Sequence, residues 1–306
     1  MPNLFTQRYM LLICAILVTF GGCLTDPPRT DSKPMDHLID LLTRLTAPEE
    51  SERFSVMDKA LNKEILIRAK DLESVLTALG KKNVSTLIYV CIKTQNRVLY
   101  HLSAPAGMAL ENSAGAFPNI AYYYARVDPA SGIEALLRLY RSQPKERLAV
   151  CLALGEVPQK KAREFLLTEA KTIKSAGGRV VEHLSGLKNA PGGVAASDVV
   201  WFLEQKLDRE EIIVLSEWDV PWTDAQLKSL WRAGTVKRHF AVQCIMGDPD
   251  EYFDSLTWMI DQYLQTGDTD TLRQLMLSDG MRSETAVRVR KLRDSTLAKI
   301  KATEHH

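Results

Sequence analysis

The chain reads as an α/β protein: a mostly parallel, helix-flanked sheet with an N-terminal helical layer and a β-hairpin. Three observations predict it. β-rich apolar runs alternate with amphipathic helical segments from about residue 120 to 265. Runs such as Ile212-Ile213-Val214-Leu215 lack polar alternation, as strands covered by helices on both faces do. The runs are also short and bounded by breaks such as Gly177-Gly178.

Taken in order, Leu38, Leu41, Leu42 and Leu45, then Leu72, Val75, Leu76 and Leu79, recur at helical spacing and predict a helical layer over 35–82. Gly80 stops its last helix. The β-rich runs 86–92 and 97–102 flank Thr94-Gln95-Asn96 and read as a β-hairpin. A Gly/Ala/Ser loop covers 103–117. Strands are expected at 120–127, 147–154, 179–184, 211–215 and 239–246, and helices at 131–141, 159–175, 196–207, 224–232 and 251–265. Thr223 followed by Gln226 makes a capping box for the helix carrying Leu227, Leu230 and Trp231. The α/β domain is placed at 83–280. The segment 281–306 is a terminal helix with Arg288, Arg290, Lys291, Arg293, Lys299 and Lys301 around Val287, Leu292 and Ile300.

A rival all-α reading, a HEAT-like solenoid, rests on Ala149-Val150 before Gly155 and Ala241-Val242 before Gly247, which recur 92 residues apart. It requires the β-branched runs to be helical, against their local preference.

At the N-terminus, Arg8 precedes an apolar run from Tyr9 to Phe20, then Gly21-Gly22-Cys23 and a tether with prolines at 27, 28 and 34. This resembles a bacterial lipoprotein export signal, with Phe20 standing where that family usually has Leu. The resemblance covers residues 1–23 and implies a signal peptide over 1–22, lipidation of Cys23 and a linker over 23–34. The run is shorter than the roughly 20 apolar residues of a spanning helix. Leu24 after Cys23 resembles the family's outer-membrane sorting pattern, which implies an envelope location facing the periplasm.

Loss of residues 1–22 leaves 284 residues with 38 basic and 38 acidic side chains. Such a balance carries no nucleic-acid footprint. Cys91, Cys151 and Cys244 sit in apolar runs and read as buried thiols rather than a disulfide framework. No cofactor is implied.

In an open α/β sheet ligands bind beyond the carboxyl ends of the strands. The expected strands end in Glu156, in His183, in Glu217 and Asp219, and in Asp248, a set that either lines a ligand or metal crevice or caps the following helices. Residues 146–265 are similar in pattern to the latter half of von Willebrand A-type domains. Where that family holds its metal, this chain has Leu154-Gly155-Glu156, Gly193-Val194-Ala195 and Ser216-Glu217-Trp218, so the resemblance implies a protein-binding module without a metal switch.

Trp218 and Trp222 flank Pro221 in an expected loop and either anchor a partner or pack the loop itself. The chain lacks His-Glu-x-x-His, Gly-x-Ser-x-Gly and a phosphate loop; Ser185-Gly186-Leu187-Lys188 has the Ser-x-x-Lys spacing without a Lys-Thr-Gly triplet. These readings together predict a lipid-anchored protein that binds another envelope protein, the alternative being a metal-assisted hydrolase using the acids at the strand ends.

Overall fold

The computed structural model describes residues 72–73, 84–112, 117–283 and 286–303. Among them there is no strand: the architecture is all-α, and the expected α/β sheet is overturned. The sheet on which the von Willebrand A-type comparison rested is absent with it. Cys23, the expected lipid tether and nearly all of the expected helical layer at 35–82 lie outside the described residues. No helix among the described residues is long and apolar enough to cross a membrane.

The described residues fall into two compact units, one up to Lys206 and one from Leu207 onward. The first contains α1 (Val84–Lys93), α2 (Ala104–Glu111), α3 (Phe117–Arg126), α4 (Pro129–Ser142), α5 (Arg147–Glu156), α6 (Lys160–Ser175), α7 (Val181–Lys188) and α8 (Ala196–Leu203). The second contains α9 (Arg209–Ser216), α10 (Asp224–Arg232), α11 (Thr235–Gly247), α12 (Phe253–Thr266), α13 (Thr269–Met276), α14 (Asp279–Ser283) and α15 (Val287–Thr303). The second strand of the expected hairpin is a 3-10 turn, Arg97–His101, and its first strand is α1.

The expected strands became helices for a physical reason. In the first unit α1, α3, α5 and α7 pack in succession, while α4 and α6 lie against α5 from outside that row. A short helix covered on several sides needs no polar stripe, so α5 buries Val150, Cys151, Ala153, Leu154 and Gly155 and reads in sequence as a continuous apolar run. Tertiary burial then overrides the β preference of its Val residue, and of the isoleucines in α9. Tyr123 and Tyr124 are both buried in α3, where 3.6-residue periodicity places them on the inner side together with Ile120.

Two glycines set the closest approach. A methyl group built on Gly155 would stand 2.0 Å from the carbonyl oxygen of Gly186, and one built on Gly186 would stand 2.3 Å from that of Cys151. The backbones of α5 and α7 therefore touch directly. Gly132 does the same for α4 on α3, its missing methyl lying 1.8 Å from the Tyr124 carbonyl oxygen.

Polar ties join successive helices in the first unit. Glu111, nearly buried, accepts two hydrogen bonds from Arg138 (2.6 and 2.7 Å) and one from the Tyr124 hydroxyl at 2.9 Å. Tyr123 donates to the Asn96 carbonyl at 2.7 Å and accepts from the Leu99 amide at 3.2 Å, fixing the 3-10 turn. Asn119 donates to Ser85 Oγ at 2.6 Å.

In the second unit α9 packs on α11 and α11 on α10 and α12. Two capping boxes start its helices. The expected one is present: Gln226 N–H donates to Thr223 Oγ1 at 3.3 Å and Thr223 N–H to Gln226 Oε1 at 2.9 Å. The other, Asp208 with Glu211, bonds reciprocally at 2.9 Å both ways and starts α9 where a strand was expected. Thr223→Ala removes one cap and is expected to cost about 1 kcal/mol, read as a lower urea midpoint with unchanged slope.

Candidate functional site

The acids expected to converge at one sheet edge sit instead at helix ends and turns. Glu156 and His183 belong to the first unit, and Glu217, Asp219 and Asp248 to the second. Glu156 ends α5 and accepts from Arg126 at 2.5 and 2.8 Å, tying the ends of α3 and α5 together. The same guanidinium lies 4.9 Å over the Tyr122 ring. Glu217 is the exposed C-cap of α9, and Asp219 is exposed two residues on. Asp248 follows α11 and accepts from the Glu251 amide at 3.1 Å in the turn before α12, whose N-cap position is Tyr252 rather than an acid. No group of three or more His, Cys, Asp or Glu that could hold a metal ion occurs among the described residues.

Trp218 and Trp222 are buried, and Trp222 stacks edge-on against Phe240 with ring centroids 5.6 Å apart. They pack the turn between α9 and α10 rather than presenting rings to a partner.

His183 is where the first unit concentrates polar chemistry. It lies in α7, 1% exposed, with Nε2 2.6 Å from the Tyr140 hydroxyl of α4. Phe165 of α6 packs edge-on against Tyr140 at 5.0 Å, and Arg147 at the start of α5 stacks over the same ring at 5.0 Å. Tyr140 also reaches Glu169 at 3.4 Å. Four helices thus contribute to one buried cluster. Within it, His183 Nδ1 and Arg147 Nε have no hydrogen-bond partner.

Burial pushes the His183 imidazolium down to about 4, opposed by Glu182 and assisted by Arg147. The ring is therefore neutral at neutral pH. The Cys151 thiol, in α5 beside this cluster, is pushed up to about 12 by burial, reinforced by Glu182. The Tyr140–His183 hydrogen bond ties α4 to α7 through two uncharged side chains.

A second arrangement, in the other unit, escaped sequence reasoning. Trp231 of α10 and Trp258 of α12 meet edge-to-face at 5.1 Å, with Tyr263 at 5.9 Å from Trp231. Arg238 stacks 4.3 Å over Trp231 and Arg232 stacks 4.7 Å over Trp258. Both arginines are exposed, and neither has a carboxylate partner within ion-pair distance among the described residues. Arg238 Nε donates to the Trp231 carbonyl at 3.1 Å, which holds its guanidinium over the ring. Trp231 and Trp258 read in sequence as helix-face core residues; Arg232 one residue after Trp231, with Arg238 close behind, was the available signal.

Comparison with known proteins returned no matching family model, no matching curated protein and no matching solved structure.

Proposed function

We propose that this chain is a lipid-anchored protein of the bacterial envelope, facing the periplasm, whose helical body binds another envelope protein. The observation that carries the binding half is the pair of arginines stacked on tryptophans across α10, α11 and α12. Trp and Arg are the side chains most enriched at the energetic centres of protein interfaces. An arginine already ordered on an aromatic face loses less freedom on binding than a mobile one. The anchoring half is supported by Arg8, the apolar run and Gly21-Gly22-Cys23. Of the acids that a hydrolase would require, Glu156 pairs with Arg126 and Asp248 bonds within a turn.

The test has two parts. Mass spectrometry of the mature N-terminus from membrane fractions should find an acylated Cys23, lost in Cys23→Ala; an intact Met1 without lipid sinks the anchoring. A photocrosslinking amino acid at exposed position 261, one turn from Trp258 on α12, should trap one discrete envelope protein in cells. The same probe at exposed Lys160, in the other unit, should not. Equal yields at both positions overturn the binding surface.

A further inference from the structure

We infer that the outer face of α15 is a docking surface for anionic lipid headgroups. The inference rests on the anchored-envelope reading for its setting, though not for its geometry. The helix turns Val289, Thr296 and Ile300 inward against α12, α13 and α14, so its orientation is fixed by the fold. Of its six cations, two are used internally. Arg288 pairs with Asp250 at 2.6 Å and stacks over Phe253, while Arg293 bonds the Met281 carbonyl and Asp294.

The other four, Arg290, Lys291, Lys299 and Lys301, are exposed and have no carboxylate within ion-pair distance among the described residues. Val287, Arg290, Lys291, Asp294, Ala298 and Lys301 lie on one side of the helix, with Asp294 engaged by Arg293 at 2.9 Å, and Lys299 flanks that side. Val287 is 58% exposed at the start of that stripe, an apolar side chain beside the first cations.

Charge segregation selects the partner. Residues 207–286 carry seven basic and fifteen acidic side chains, whereas 287–303 carry six basic and one acidic. An anionic surface therefore repels most of this unit and attracts one helix, which orients the unit as well as binding it. The 17 residues of α15 extend over about 25 Å, a row of charges suited to a plane of headgroups rather than to a single phosphate. With its apolar face already buried, the helix contributes through charge, each cation adding about 1 kcal/mol near an anionic membrane.

The test uses the full chain with Cys23→Ser, so that no lipid anchor contributes, and vesicles of phosphatidylcholine with and without 30% phosphatidylglycerol. Binding should be tighter to the anionic vesicles and weaken as salt is raised. Arg290→Ala with Lys291→Ala should lower that affinity on the order of 25-fold, about 5-fold per cation. The neutral vesicles report any contribution of the apolar segment 9–20, which both proteins share. An unchanged melting temperature shows that the exposed substitutions leave the fold intact.

Equal affinity for the two vesicle types, or for the two proteins, overturns the inference. So does salt-sensitive self-association abolished by the same pair of substitutions, which would assign the face to a second copy of this chain. Failure of Cys23 acylation in cells would remove the anchoring while leaving the vesicle result to judge this face on its own.

Discussion

Gly155→Ala is expected to destabilise the first unit by at least about 3 kcal/mol, the upper end of what an overpacked core costs. The added methyl would lie 2.0 Å from the Gly186 carbonyl oxygen, and the obstacle is backbone on a neighbouring helix, which no rotamer change can move aside. Relief requires α5 and α7 to separate, and that loosens the Val150, Cys151 and Leu184 contacts buried between their neighbours. A domain with 5 to 15 kcal/mol in hand loses much of its stability, and the melting temperature should fall by roughly 10 °C or more. Gly107→Ala is the control: nothing lies within 4 Å of its would-be methyl, and a helical Gly-to-Ala change should be neutral or stabilising. If Gly155→Ala melts within a degree or two of the parent, the α5–α7 crossing is incorrect.

Acidification should weaken the same unit through His183. Its folded value of about 4 lies below the ordinary 6.5, so the unfolded chain takes up a proton that the folded chain refuses. Stability is therefore flat above pH 7, falls as the pH drops from about 6.5 to 4, and stops falling on this account below 4. The linkage amounts to about 2 kcal/mol between pH 7 and pH 5.

Every helix packed against the ring contributes to that environment: Tyr140 from α4, Arg147 and Cys151 from α5, Glu169 from α6, with Glu182 adjacent on α7. Denaturant melts of the parent and of His183→Gln at pH 7 and pH 5 check it. The variant should lose most of the pH dependence, and equal slopes in the two proteins would refute the argument. His239 in the second unit is also lowered by burial, so both proteins should carry His239→Gln to keep its proton out of the comparison.

The amphipathic helices were legible and the buried ones were not. The periodicity at 131–141, 159–175 and 224–232 matches α4, α6 and α10 because each keeps one side in water. α5, α9 and α11 present apolar residues on several sides, which erases the 3.6-residue signal and leaves runs as short as strands. The rival repeat reading had the correct secondary structure, and its 92-residue recurrence spans the three steps from α5 through α7 and α9 to α11.

A shorter period was also present. Pro129, Pro158, Pro191, Pro221 and Pro249 follow the helices that read as strands and stand 28 to 33 residues apart. Asp208-x-x-Glu211 is a helix-start signal as explicit as Thr223-x-x-Gln226, masked in sequence by the strand preference of the isoleucines after it. The candidate site was less legible because an expected sheet edge places the acids together, and the described residues form no sheet. The arginine–tryptophan stack is built across three helices and needs their packing to be seen.

The ties between helices in the first unit have a kinetic corollary. Arg126 with Glu156, Arg138 with Glu111, Arg97 with Asp128 and Lys171 with Asp198 join residues 27 to 31 apart, and the longest, Tyr140 with His183, spans 43. Short loops close at small entropic cost, and chains rich in such contacts fold fast. Each helical pair can therefore form as soon as the next thirty or so residues are available, which lets the unit assemble progressively from a chain emerging end first, without waiting for a distant partner segment.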